Sequence, residues 1–304
     1  MRWQKLGLVY VPNREQEWAQ SHAFLPTSRM VAPDRIRVYA AFLDCKGVGR
    51  IGFVDVEASD PRRILRVSEN PALDIGEAGT FDDNGVAPQS IVESDGKLFL
   101  YYVGFQLHTK IRYTLFTGLA ISDDSGESFR RYSRVPVIDR SDRELFVRAA
   151  VHVQHAAQRW RMWYVAGDRW VVAHGKQVPT YNMRYLESPD GTTWGPKGVV
   201  CMDPEGQDEF GFGRPFVVRE NECYRMWYSV RTFSKGYRLG YAESTDGLEW
   251  IRKDSEVGLD VSEAGWDSQM VAYACIQKTR YGIYMFYNGN NYGETGVGAA
   301  LLRP

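Results

Sequence analysis

Arg159-Trp160-Arg161-Met162-Trp163-Tyr164 and Cys223-Tyr224-Arg225-Met226-Trp227-Tyr228 are two copies of one word, and that repetition decides the fold. Three looser copies keep its aromatic end: Arg35-Ile36-Arg37-Val38-Tyr39, Lys97-Leu98-Phe99-Leu100-Tyr101-Tyr102 and Tyr281-Gly282-Ile283-Tyr284-Met285-Phe286-Tyr287. The anchors Tyr39, Tyr101, Trp163, Trp227 and Phe286 stand 62, 62, 64 and 59 residues apart. Aromatic and apolar residues at this density predict strands, and self-similarity at a nearly fixed period predicts a repeat architecture.

A second word follows at a constant lag in three copies. It reads Gly118-Leu-Ala-Ile-Ser122-Asp-Asp124-Ser-Gly126-Glu-Ser-Phe129, Tyr185-Leu-Glu-Ser188-Pro-Asp190-Gly191-Thr-Thr-Trp194 and Gly240-Tyr-Ala-Glu-Ser244-Thr-Asp246-Gly247-Leu-Glu-Trp250. Each is a strand running into a turn, where Asp accepts backbone hydrogen bonds and Gly supplies positive φ. Structural hairpins are the expectation here, rather than ligand sites.

Five copies of about sixty residues, each with room for about four short antiparallel strands, predict an all-β chain: a five-bladed β-propeller. The expected blades run near 21–70, 80–135, 144–200, 208–255 and 266–304, in one domain over 1–304. The last copy stops early, while Trp3 to Val11 alternates outside the repeat. Pairing that N-terminal strand into the last blade closes the ring and removes two open edges. Glu144 to Arg159 is Ala-rich and reads as helix on propensity, but its place in the repeat demands an inner strand over Val147–Gln154.

Composition narrows the function. The 304 residues carry 37 basic and 38 acidic side chains, a formal net charge of −1, which argues against a nucleic-acid partner. No 18-residue apolar run appears, so no membrane span is expected, and the N-terminus does not read as a signal peptide. Cys45, Cys201, Cys223 and Cys275 form no Cys-x-x-Cys pair, so no metal or cofactor site is expected, and reduced thiols point to a cytoplasmic protein. His152 and His155 face opposite sides of a strand and cannot share a metal.

Counting back from each anchor places titratable residues at one register: His22, Asp83, Glu144, Glu209 and Asp267 lie 17 to 19 positions upstream. Inner strands of a propeller line its channel, so a recurring residue type becomes a ring around the axis. The aromatic neighbours Phe81, Phe210 and Trp266 suggest partial desolvation, a condition that suits one carboxyl group for general-acid work. Glycoside cleavage needs one proton donor, one carboxylate as base or nucleophile, and aromatic surface for the sugar. The catalytic expectation is therefore Glu209 as acid with Asp83 or Asp267 as base or nucleophile. The substrate-binding expectation is His22, Asp82, Arg148, Arg214, Trp266 and Asn288. For each carboxylate, a structural hydrogen-bonding role is the competing reading.

The words Arg-Met-Trp163-Tyr164, Arg-Met-Trp227-Tyr228 and Tyr-Ala-Glu-Ser244-Thr-Asp246-Gly247-Leu-Glu-Trp250 resemble the blade signature of the five-bladed arabinanase, levansucrase and invertase superfamily, glycoside hydrolase families 43, 32, 68 and 130. The sequence is most similar to an uncharacterised bacterial cytosolic subgroup with Phe-Asp82-Asp83-Asn-Gly-Val and Gly-Trp266-Asp267-Ser. The resemblance implies a small-molecule or oligosaccharide substrate at the funnel mouth, with carboxylates from successive blades. Asn84-Gly85 stands where an Asp-Pro step is expected, and no Asn-Asp-Pro-Asn-Gly word occurs near the N-terminus. Two alternatives stay open: a non-catalytic carbohydrate- or protein-binding propeller, and an unrelated reaction on a small biosynthetic metabolite.

Overall fold

The computed structural model describes residues 1–167 and 169–303. β1 (Arg2–Tyr10) opens the chain. A first four-stranded sheet follows from β2 (Ser21–Ala32), β3 (Arg35–Leu43), β4 (Gly49–Glu57) and β5 (Ile64–Val67). The second group is β6 (Val86–Ser94), β7 (Lys97–Leu107), β8 (Tyr113–Ser122) and β9 (Arg130–Arg131). Next come β10 (Val147–Ala156) and β11 (Arg159–Gly167), a separate hairpin of β12 (Trp170–Ala173) and β13 (Lys176–Pro179), then β14 (Asn182–Ser188) and β15 (Val199–Met202). A two-residue parallel contact between β8 and β10 links these two groups into one longer sheet.

The fourth group is β16 (Glu209–Glu220), β17 (Cys223–Thr232), β18 (Arg238–Ser244) and β19 (Ile251–Arg252). The fifth is β20 (Ala272–Thr279), β21 (Gly282–Asn288) and β22 (Val297–Arg303), on whose outer edge β1 pairs antiparallel. The chain is nearly all strand, as the repeat predicts. The Ala-rich segment is also a strand, because β10 finds a complete antiparallel partner in β11 and buries Val147, Ala149, Val151 and Val153.

The leading strands β2, β6, β10, β16 and β20 each touch the next, and β20 touches β2. All five break register at the same depth. The shifts fall between Phe24 and Thr27, Pro88 and Ser90, Ala149 and His152, Gly213 and Phe216, and Ala272 and Cys275. Leu25, Ala150, Arg214 and Tyr273 sit in these bulges with φ of 56°, 55°, 25° and 59°, backbone that non-glycine residues seldom adopt. A bulge bends its strand and re-aims a side chain, so five aligned bulges build a floor.

Both repeated words hold neighbouring sheets together. Tyr39 donates its hydroxyl to the Gly126 carbonyl at 2.8 Å, Tyr101 to Gly191 at 2.7 Å, and Trp163 its indole N–H to Gly247 at 2.7 Å. The serine of each turn accepts from that glycine's N–H, at 2.8, 2.9 and 2.8 Å. The residue after the anchor makes a second lock. Tyr102, Tyr164, Tyr228 and Tyr287 donate to Asp82, Glu144, Asp254 and Asp267, and a cation pairs with each of these acids: Arg131, Arg184, Arg252 and Lys5.

Candidate functional site in the central cavity

A cavity of about 810 Å³ opens where the five leading strands meet. Its floor is the ring of bulges: Leu25, Gln89, Ala150, Arg214 and Tyr273 all line it. Arg214 is 1% exposed and acts as the hub. It donates to the carbonyls of Pro26, Gln89 and Tyr273 and to Thr27 Oγ1, tying β16 to β2, β6 and β20. Burial lowers its pKa, yet an arginine stays charged, and no carboxylate pairs with it among the described residues.

The walls are aromatic. Phe24, Phe105, Tyr113, Tyr181, Phe212 and Tyr237 contribute surface, with Tyr292 at the rim. Tyr237 packs edge-on to Tyr273 and Tyr292 at ring separations of 5.9 and 5.2 Å. Burial raises the Tyr181 and Tyr273 phenols well above their usual range, so both are neutral donors at physiological pH. Arg231 lies between Tyr181 and Phe210, its guanidinium 4.3 and 4.5 Å from the two ring centres. Its Nη1 donates to the Pro179 carbonyl at 2.7 Å, while its Nε is buried without an acceptor.

Of the residues singled out from sequence, His22 and Arg214 line this cavity. His22 is half-buried with φ of 60°; burial lowers its pKa, which Glu294 and a backbone contact at Asn291 partly oppose. Asp82, Asp83, Glu209 and Asp267 are not among the residues that line this cavity. Asp267 is 1% exposed and accepts from Lys5 at 2.7 Å and Tyr287 at 3.0 Å. Asp82 is equally buried, holding Tyr102, Arg131 and Thr80. Asp83 accepts from the Gly79 N–H at 2.8 Å. Glu209 takes both Arg252 amino groups at 2.8 and 2.9 Å and borders a smaller cavity of about 450 Å³ that shares Phe210.

The remaining three also lie outside the lining residues. Arg148 is held by Glu144 and the Asp139 and Gly195 carbonyls. Asn288, fully buried, bonds the Leu25 N–H and the Ala23 and Gly296 carbonyls, joining the fifth sheet to the first. Trp266 packs on Tyr287 and roofs Gly289 and Gly298, where a Cβ would come within 2.5 Å of its ring. Sequence counting missed Arg231, Tyr181 and Tyr237. The signal was one register along: Leu43, Phe105 and Arg231 each stand four residues past an anchor, and all line the cavity.

Among the described residues no Asp or Glu lines the central cavity, whereas Arg112, Lys176, Arg214, Arg231 and Lys235 do. Such a site can stack a ring, donate hydrogen bonds through phenols and guanidinium groups, and attract negative charge. Among the described residues no group of three or more His, Cys, Asp or Glu is placed to hold a metal, and no helix is long and apolar enough to cross a membrane.

This fold, with a central cavity bounded by its leading strands, is that of the propeller glycoside hydrolases. A solved glycoside hydrolase superposes with a TM-score of 0.78 at 18% identity, covering 99% of this chain and 92% of its own. A thermostable family-43 glycoside hydrolase gives 0.68 at 17% identity, covering 92% and 88%. The chain belongs to the family of uncharacterized protein Rv1502 of Mycobacterium tuberculosis, with which it is 36% identical over 302 residues, 99% of each chain. No family model matches the sequence.

Proposed function

We propose that the protein is a carbohydrate-active enzyme that cleaves or transfers a glycosyl unit in its central cavity. In this reading 1–304 is one domain, the five strand groups are five blades, and β1 closes the ring by completing the last blade. The observation that carries it is the cavity itself: aromatic walls and hydrogen-bond donors converge where all five leading strands meet, the surface a sugar ring requires. The likeness to glycoside hydrolase structures supports the same class.

The acid and base are sought in the cavity walls. Asp83, Glu209 and Asp267 are engaged in hydrogen bonds elsewhere, whereas His22 is in place and neutral near pH 7, so it can accept a proton. A second reading is saccharide binding without turnover. One experiment separates them: a panel of oligosaccharides and aryl glycosides assayed for product and for binding. Product formation lost in His22→Ala supports the enzyme. Binding without product selects the second reading, and neither binding nor product overturns both.

A further inference from the structure

Two buried guanidinium groups border the cavity with no carboxylate beside them among the described residues. Arg231 is 3% exposed and Arg214 1% exposed, and neither is in an ion pair among the described residues. The contrast lies within the same fold: buried Arg37 grips Asp55 with Nε and Nη2 at 2.7 and 2.9 Å, and Arg252 grips Glu209 at 2.8 and 2.9 Å. A buried cation without a counter-charge is costly, and an arginine cannot escape by losing its proton. Both Arg214 and Arg231 leave Nε without an acceptor, but Arg214 commits both amino groups, to Pro26, Tyr273, Gln89 and Thr27, whereas Arg231 spends one amino group on the Pro179 carbonyl.

The mouth repeats the same sign. Arg112, Lys176 and Lys235 line the cavity, are exposed, and enter no ion pair among the described residues. Lys176 is carried there by the β12–β13 hairpin, which stands apart from the four-stranded sheets. The whole chain carries a net charge of −1, so this concentration of cations is local. A cleft with apolar walls and one sign of charge focuses its field on an incoming ion.

We infer that the cavity takes a saccharide bearing an anionic group, a carboxylate or a phosphate, whose oxygens accept from Arg231 while the sugar ring lies against the aromatic walls. The inference rests on the carbohydrate reading given above for this site and adds the ligand's charge to it. The exposed cations at the mouth then steer the ligand in, and Arg231 fixes its orientation.

The test is calorimetric titration of the intact protein with glucuronate, glucose 6-phosphate, glucose and inorganic phosphate. Tighter binding of an anionic sugar than of glucose, by at least about 10-fold, supports the inference, and whether glucuronate or glucose 6-phosphate wins tells carboxylate from phosphate. Arg231→Met keeps an unbranched apolar stem, removes the guanidinium group and should abolish that preference. If this buried variant fails to fold, Lys176→Ala with Lys235→Ala, both at exposed positions, should shrink the preference, as should salt at about 0.5 M. Equal binding of charged and neutral sugars, or a preference that survives these variants, overturns the inference and leaves the carbohydrate reading standing. Phosphate binding that depends on Arg231, with no sugar bound, keeps the anion site and overturns the carbohydrate reading. No binding by any probe overturns both.

Discussion

The indole N–H of Trp163 donates to the carbonyl of Gly247 at 2.7 Å, across the boundary between the third and fourth strand groups. The glycine is required twice over. Its φ is +80°, and a Cβ there would meet the Trp163 ring at 3.0 Å. Gly247→Ala should therefore cost about 1–3 kcal/mol, from backbone strain and displacement of the indole. Urea unfolding reads it; a midpoint within error of the parent would show that the turn does not hold the two sheets together.

Glu144 is 1% exposed and serves Tyr164, Arg148, Arg184 and the Gly198 N–H at once. Tyr164→Phe removes one donor and leaves the others, so it should cost about 1–2 kcal/mol. Glu144→Ala strands two arginines and should cost about 3–5 kcal/mol. Equal losses for the two variants would contradict the lock.

The periodicity that made the fold legible also led to a register of hydrogen-bonded acids rather than to the residues that line the cavity. Anchors, turns and the carboxylate register all recur because each sheet must be fixed to its neighbour, and recurrence is what counting detects. Asp82 and Asp267 recur for that reason, each twenty residues before the tyrosine it binds. The proposed site occupies positions where the copies differ. Thirteen residues before Trp227 stands Arg214, and at the matching bulges stand Ala150 and Tyr273. Arg231 occupies a register filled by Leu43 and Phe105 elsewhere, so no repeat announces it. Its isolation from acids depends on packing between Tyr181 and Phe210, which a linear sequence does not display.

His152 is pressed between Phe216 and Trp163, with ring centres 4.7 and 6.4 Å away. Burial, reinforced by the charge of Arg214, pushes its pKa down to about 3. The folded value lies below the unfolded one, so the unfolded chain binds the extra proton between about pH 6.5 and pH 3. Stability is present above pH 6.5 and falls on acidification by on the order of 1.4 kcal/mol per pH unit within that window. Unfolding free energies of the parent and His152→Leu at pH 7 and pH 5 should differ in slope by about 2 kcal/mol. Parallel slopes would mean that the imidazole stays protonatable in the fold.

Glu209 is not among the residues lining the central cavity, and both its carboxylate oxygens accept from Arg252, which also holds Asp254. Glu209→Gln keeps the shape and one acceptor oxygen, and Arg252 retains Asp254. The expected result is a stability loss of up to about 1 kcal/mol, with saccharide binding in the central cavity changed less than about 2-fold. A loss of turnover by 10²-fold or more, at unchanged stability, would return Glu209 to the role of general acid.

Arg214 gives the sharpest test of how the floor is built. Its fork reaches acceptors on three other leading strands, the carbonyls of Pro26, Gln89 and Tyr273 together with Thr27 Oγ1. A lysine ammonium is a point charge with three donors on a stem of different length, and it cannot span acceptors arranged around a planar group. Arg214→Lys keeps the charge and should still cost about 2–4 kcal/mol, because each buried carbonyl left unpaired costs about 1–3 kcal/mol. The bulges depend on the same bonds, so the damage should extend to the cavity, and saccharide affinity should fall together with the unfolding midpoint. A lysine variant that loses affinity at full stability would place Arg214 on the ligand, and one that loses neither would remove it from the floor.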